Sequence, residues 1–375
     1  KRAVYGSRAG WERPNWFAPP GVEPVDKPSF GRPNWFEYVA AEHRAVRERV
    51  ALIDQTSFSK LEIDGPQALV ALQRLAVSDM DKPVGSVIYT QLCNPRGGIE
   101  CDLTVTRLGE NRFYVVTGSA FGRHDQHWIE SNIRKDGLVN VRDVTSSRAV
   151  INICGPKARD VLASVVEEDV SNAAFPFATA REITVGAAPV LAIRIGYVGE
   201  LGWELHIPTE YAEHVYETLW AAGVQYGIAD VGYRAIDSLR MEKGYLYWSS
   251  DITPDYNPYE AGLGFRVSMK KGDFIGREAL EKVKAEGVKR KLCTFTLEKP
   301  ASVFGGEAVL RNGKVLSVTS SGNFGHTIGK PIVYAYLPIE ETEHVDFEIE
   351  AFGEVYPATR RDQPLYDPTN SRLKG

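Results

Sequence analysis

The sequence predicts an α+β protein, with a duplicated core followed by a small antiparallel β-barrel. Three observations lead there. Leu61-Glu-Ile-Asp-Gly-Pro-Gln-Ala-Leu-Val-Ala-Leu72 matches Ile151-Asn-Ile-Cys-Gly-Pro-Lys-Ala-Arg-Asp-Val-Leu162 in spacing. Each copy is followed by an acid-bearing hairpin and then by an amphipathic helix. Beyond Leu292 the apolar period falls to two, with turn residues at short intervals.

The elements follow in chain order. Residues 1–40 are rich in Pro, Gly and aromatics and carry Arg-Pro-Asn-Trp-Phe twice, at 13–17 and 32–36. This composition predicts an extended arm whose Trp and Phe anchor it, either to this chain or to a neighbour. The core spans 41–275, with pseudo-repeats at about 50–145 and 146–230. In each repeat a strand runs into Gly-Pro, where a proline sits without loss in the first helical turn. Helices are predicted at roughly 121–135, 209–226 and 233–247, the last ending at Gly244. A Pro- and Asp-rich loop follows over 251–266. The C-terminal domain, 276–375, opens with a helix near 276–286. It continues with strands near 292–298, 307–310, 314–320, 331–337, 345–351 and 354–360, and Arg311-Asn-Gly-Lys314 is a hairpin turn.

Composition narrows the function. The 375 residues carry 44 Lys and Arg against 49 Asp and Glu, a net charge of −5. No basic run marks a nucleic-acid surface. No apolar stretch reaches the roughly 18 residues that cross a bilayer, and no signal peptide is visible. The expected compartment is the cytoplasm, or the mitochondrial matrix in a eukaryote. The four cysteines, Cys93, Cys101, Cys154 and Cys293, lack CxxC spacing and read as buried reduced thiols. The chain starts with Lys1, which suits one part of a longer polypeptide. GxSxG, HExxH, P-loop and Gly-rich dinucleotide motifs are all missing, so no metal is expected and this chain is not expected to hold its own flavin or nicotinamide. His124 and His127, at i,i+3 spacing, read as solvated or hydrogen-bonded side chains.

Two segments carry candidate chemistry: Asn94-Pro-Arg-Gly-Gly-Ile-Glu-Cys-Asp102-Leu-Thr-Val105, and Tyr197-Val-Gly-Glu-Leu-Gly-Trp-Glu204. In each, glycines lead to an acid set in an apolar strand. Such an acid is costly to bury unless it is paired or faces a ligand. Matching contexts predict that Asp102 and Glu204 are counterparts, one from each half, converging on one cavity.

These segments resemble the glycine-cleavage T-protein (aminomethyltransferase) superfamily, and the likeness covers essentially the whole chain. Other matching stretches are Asp237-Ser-Leu-Arg-Met-Glu-Lys-Gly-Tyr245 and Glu260-Ala-Gly-Leu-Gly-Phe265. Gly10-Trp-Glu-Arg-Pro14 and Leu365-Tyr-Asp-Pro368 are most similar to the folate-binding C-terminal portion of dimethylglycine oxidases and of dimethylglycine or sarcosine dehydrogenases. The resemblance implies a three-domain cloverleaf around a tetrahydrofolate channel, with Asp102 catalytic near N5 and N10. It also implies folate binding by Glu204, Tyr197, Tyr89, Arg240, Trp248 and Phe177. The bland alternatives are a strand-end acid for Asp102, pairing with Arg194 for Glu204, core aromatics for Tyr89 and Trp248, and bridging to Asp237 or Glu242 for Arg240. One departure is Val115-Val-Thr-Gly-Ser-Ala120, where the T-protein carries an Asn-bearing turn; recognition of an aminomethyl-lipoyl group is therefore not carried over.

The implied activity is one-carbon transfer in the demethylation of dimethylglycine- or sarcosine-type amines. An iminium or formaldehyde from a partner flavin amine oxidase or dehydrogenase, the bearer of FAD, is captured as 5,10-methylenetetrahydrofolate. The competing expectations are a stand-alone demethylase yielding 5-methyltetrahydrofolate from an O-, N- or S-methyl donor, and a non-catalytic folate-fold scaffold.

Overall fold

Two strand–helix–hairpin–strand–helix units form the core, and their registers superimpose. The computed structural model describes residues 1–362 and 364–375. In the first unit the five-stranded sheet runs, in spatial order, Val87–Cys93, Ile99–Gly109, Arg112–Thr117, Ser59–Asp64, Asn140–Asp143. In the second, a six-stranded sheet runs Ala180–Val185, Ala188–Ile193, Gly202–Pro208, Arg148–Cys154, Ala51–Asp54, Ala229–Asp230. The Gly-Pro steps lie between strand and helix in both, and the helices begin at Ala68 and Ala158, two residues past each proline. Gly65 and Gly155 take φ of +123° and +116°, and an added Cβ would meet the Leu138 and Arg49 carbonyl oxygens at 2.4 and 2.6 Å. Glycine is required at both turns.

Register corrects one expectation. Glu62 pairs with Tyr114, and its repeat equivalent Asn152 pairs with Glu204. The counterpart of Glu204 is therefore Tyr114, not Asp102. Thr106, paired with Tyr114, corresponds to Ile193, paired with Glu204. Four residues back from each, Asp102 corresponds to Pro189. Each half contributes its own acid, from non-equivalent strands.

Each sheet uses one face for its own helices. Ile63, Leu72, Leu103, Phe113 and Ile129 form the first core; Leu52, Ile153, Trp203, Leu205 and Leu219 form the second. The other faces meet through Val87, Tyr114, Ala180, Leu191 and Ile193. Strand alternation puts Asp102 on the face of Tyr114 and Glu204 on the face of Ile193, so both acids point into the layer between the sheets.

The arm is more ordered than its composition suggests. Ala3–Arg8 and Trp11–Phe17 form a hairpin, and the second Arg-Pro-Asn-Trp-Phe copy runs into a helix at Phe36–Glu48, so the boundary at 40 falls inside that helix. Trp16 is 0% exposed, stacks on Tyr38 at 5.5 Å and donates to Asp26 at 2.7 Å. The arm thus packs on its own chain. Trp16→Ala is expected to destabilise the protein by about 3–5 kcal/mol in denaturant unfolding. A loss under about 1 kcal/mol would show the arm to be a detachable strap.

The barrel is closed, in the order Arg290–Leu297, Lys330–Pro338, Lys314–Gly325, Ala308–Arg311, Asp346–Ala351, Glu354–Arg361. Each expected strand is present. Asn312 and Gly313, with φ of +53° and +73°, make the expected tight turn. The helix Arg277–Glu286, assigned from sequence to the C-terminal domain, instead seats Leu280 against Val77, Cys93, Ile99 and Phe274 of the core side. All four cysteines are buried and free. No helix among the described residues is long and apolar enough to cross a membrane.

Candidate functional site

Asp102 is carried by a hairpin with little freedom. Asn94 Oδ1 accepts from the amides of Arg96 and Gly98 at 2.9 and 3.1 Å, and its amide nitrogen donates to Glu100 at 3.0 Å. A Cβ on Gly98 would lie 2.0 Å from the Pro254 carbonyl oxygen, so only glycine lets the 251–263 loop close over this turn. Across the hairpin, Gln91 Nε2 donates to Asp102 Oδ1 at 2.8 Å, and the Tyr89 hydroxyl lies against the same carboxyl. Burial pushes the Asp102 carboxyl up to about 6; the Gln91 and Tyr89 hydrogen bonds oppose the rise and nearby Asp125 adds to it. The Tyr89 phenol is raised in turn, by burial and then by the Asp102 charge.

Tyr197 marks where the parts meet. It sits in the loop before Gly202–Pro208. Its hydroxyl donates to the Leu246 carbonyl at 2.6 Å, and its ring stacks on Tyr245 at 5.8 Å. Burial raises its pKa, and Asp102, Asp237, Asp251 and Arg240 all lie close enough to act on it. Both halves and the segment after helix Tyr233–Glu242 therefore converge on this phenol.

Glu204 stands 3.6 Å from His206 Nε2, while His206 Nδ1 contacts the Tyr114 hydroxyl at 3.0 Å. The imidazole pKa is lowered by burial, against the pull of Glu204, which favours a neutral ring. Arg194, the alternative partner, hydrogen-bonds the Phe175 and Lys374 carbonyls instead.

Arg240 is placed differently from the sequence expectation of a folate contact. Its guanidinium donates to Asp237 at 3.0 Å, Asp251 at 2.8 Å, Ser321 at 3.0 Å and the Tyr245 carbonyl at 3.3 Å. These bonds clamp helix Tyr233–Glu242 and the 245–251 segment to the barrel, leaving little for a ligand. Trp248 packs edge-on to Phe121 at 4.6 Å and near His124 at 5.7 Å. Phe177 is half-buried on a turn whose next residue, Ala178, accepts from the Val87 amide at 2.9 Å, two residues from Tyr89. It makes no ring stack with another site residue among those described.

Two features escaped the sequence reading. Gln91 holds the catalytic candidate directly; the alternation Tyr89-Thr-Gln91 opposite Asp102 was the available signal. Arg266 carries a guanidinium 5.4 Å from the Tyr89 ring centroid, with no acid beside it. A lone cation in the apolar run Leu263-Gly-Phe-Arg-Val267 was its trace. Behind the sheet, Cys101, His124 and Asp125 place ligand-type atoms within 4.8 Å of one another, but Asp125 is already bonded to His124 at 2.9 Å and to Thr117 at 2.5 Å.

The site is deep yet not packed shut. Burial dominates the pKa shifts of Asp102, Tyr89 and Tyr197, and all three nevertheless retain accessible surface. Several buried polar atoms lack partners: Gln91 Oε1, Trp248 Nε1 and Arg266 Nε on the side of Asp102 and Tyr89, and His206 Nε2 beside Glu204. Orphaned groups of this kind fit a polar ligand that supplies their hydrogen bonds. Two open concavities lie elsewhere, one along His127–Arg142 and one at Arg96, Asp255 and Tyr256.

Comparison with known proteins gives one answer. The GCVT N-terminal domain matches residues 1–271, and the glycine cleavage T-protein C-terminal barrel domain matches 290–367. The chain is 39% identical, over its full length, to 45% of the 4-methylaminobutanoate oxidase (formaldehyde-forming) of Paenarthrobacter nicotinovorans. It is 38% identical over 98% of its length to 43% of the mitochondrial dimethylglycine dehydrogenase of Mus musculus. It thus spans under half of these relatives, but 92% of an aminomethyltransferase of Symbiobacterium thermophilum, at 34% identity over 91% of the chain. The glycine cleavage system aminomethyltransferase T of Bartonella henselae superimposes with a TM-score of 0.83 at 26% identity, over 98% of this chain and 95% of that one. With its duplicated core, closed barrel and matching profiles, the chain belongs to the folate-dependent glycine-cleavage T-protein family of GcvT-type aminomethyltransferases.

Proposed function

We propose that this chain captures the one-carbon unit released in the oxidative demethylation of an N-methylated amine of the dimethylglycine or sarcosine type, transferring it to tetrahydrofolate. The observation that carries this reading is the pair of acids, Asp102 and Glu204, directed from two facing sheets into one layer lined by orphaned polar atoms. When bound, tetrahydrofolate supplies the nucleophilic nitrogens N5 and N10 that take up the carbon as 5,10-methylenetetrahydrofolate.

The chain's own residues have separable roles. Glu204 accepts the paired N–H donors of the aminopyrimidine edge, a charge-assisted arrangement that fixes the pterin. Tyr197 and Tyr89 wall the pocket, with Trp248 and Phe177 as further apolar surface. Asp102 is assigned the proton that leaves the nucleophilic nitrogen, and its raised pKa suits it to accept that proton and return it. Gln91 holds the carboxyl in position. Arg240 keeps the surrounding elements in register. Enclosure holds the reactive carbon and its acceptor together and excludes competing water. A flavin-bearing amine oxidase or dehydrogenase, as a fused domain or a subunit, provides the iminium or formaldehyde; the names of the relatives support that arrangement.

The pH dependence follows. Burial lifts the Asp102 carboxyl to about 6, so the carboxylate predominates above that pH and is lost below it. Transfer is expected to fall about tenfold per pH unit below the inflection, measured as the pH profile of methylene-folate formation at saturating folate. A flat profile from pH 5 to 8 would remove Asp102 from the proton path.

The overall reading is tested by supplying the chain with a flavin amine oxidase, an N-methylated amine and tetrahydrofolate. Free formaldehyde is expected to fall as 5,10-methylenetetrahydrofolate accumulates. A 5-methyl product formed without any flavoprotein would overturn it in favour of direct methyl transfer.

A further inference from the structure

Arg266 is the conspicuous unsatisfied cation of the site. It closes a single 3-10 turn, Gly264–Arg266, whose backbone is tied down by Ser78 Oγ donating to the Arg266 carbonyl at 2.9 Å. The side chain is half-buried and lies over two rings, Tyr89 at 5.4 Å and Phe265 at 4.8 Å. Burial lowers its pKa, and the only groups acting against that are the phenols of Tyr89 and Tyr245. Among the described residues it forms no ion pair and its side chain makes no hydrogen bond, and Nε is buried without a partner. Arg47, by contrast, is paired with Glu200 and Glu242, and Arg240 with Asp237 and Asp251, while Arg194, also without an acid, donates to the Phe175 and Lys374 carbonyls. A guanidinium that gives up water without a counter-charge is unfavourable unless a ligand restores one.

We propose that Arg266 is a carboxylate-recognition residue of this site, pairing with a carboxylate of the bound ligand. The inference rests on the folate reading and deepens it. Tyr89 links the two functions, since its hydroxyl lies against Asp102 while Arg266 lies over its ring. Asp102 and Arg266 thus flank one ring, which lets a single ligand meet both. Two sources supply the same chemistry: the glutamyl tail of the folate, and the carboxylate of an amino-acid-derived amine. The planar fork of arginine engages either one in bidentate fashion.

The test is calorimetric, on the intact chain. 5-Formyltetrahydrofolate and its carboxylate-free counterpart, the carboxamide of 5-formyltetrahydropteroic acid, are titrated into wild type, Arg266→Gln and Arg266→Lys. Dimethylglycine is titrated into each protein preloaded with the folate. If the tail is the source, wild type binds the glutamate-bearing ligand on the order of 10- to 100-fold more tightly than the carboxamide. Arg266→Gln then abolishes that difference without weakening the carboxamide, and Arg266→Lys restores part of it. If the amine is the source, Arg266→Gln leaves both folates unchanged and loses dimethylglycine binding. Equal affinities for all ligands in wild type and Arg266→Gln would overturn the proposal, as would loss of both folates together. Thermal melts of both variants separate misfolding from lost recognition. Failure of wild type to bind either folate would instead overturn the folate reading itself.

Discussion

Replacing Asp102 with Asn is expected to lower methylene-folate formation by about 10²- to 10⁴-fold. Folate affinity should stay within about threefold, because the substitution removes charge and basicity but not shape. Asn can still accept the hydrogen bond from Gln91 that fixes the wild-type side chain at 2.8 Å. It cannot take up a proton. Because burial already lifts the carboxyl to about 6, Asn also removes a group that is unfavourable to ionise there, so no loss of folding stability is expected. Rate at saturating folate and calorimetric affinity, measured together, separate chemistry from binding. An unchanged rate in Asp102→Asn would place the chemistry elsewhere.

Glu204→Gln is expected to show the opposite split. Tetrahydrofolate affinity should fall on the order of 10- to 100-fold, as loss of a charge-assisted hydrogen-bond pair implies. The rate at saturating folate should change much less. The argument depends on His206: its pKa is lowered by burial, so removing the neighbouring carboxylate strands no imidazolium. Its contact with the Tyr114 hydroxyl survives, and the sheet should fold as before. The check is calorimetry with a thermal melt; unchanged affinity would return Glu204 to a merely structural role beside His206.

The duplication was legible because Gly-Pro after a strand has a local meaning: it needs a positive-φ glycine and a close backbone approach, and both copies show them. The barrel was legible because a period of two with an Asn-Gly turn admits few other solutions. The arm was not. One pentapeptide lies in the strand Trp11–Phe17 and its copy enters the helix Phe36–Glu48, so tertiary packing, not local sequence, decides between them. The pairing of Asp102 with Glu204 as counterparts failed for a related reason. Similar glycine-to-acid wording recurs, but strand register is fixed by partners far along the chain, and register equates Glu204 with Tyr114. Arg240 was readable as a basic residue in a matching motif; that its donors point to Asp251 and Ser321 required the barrel to be in place. Arg266 was hidden because an arginine without an acid nearby in sequence is ordinary until its surroundings are known.

The central claim is that Asp102 and Glu204 serve one ligand from opposite sheets. A crystal structure of the chain with bound 5-formyltetrahydrofolate tests it most directly. The account predicts the aminopyrimidine edge within hydrogen-bonding distance of Glu204 and the N5–N10 region beside Asp102. A ligand held away from either carboxyl, for instance in the open groove along His127–Arg142, would contradict it.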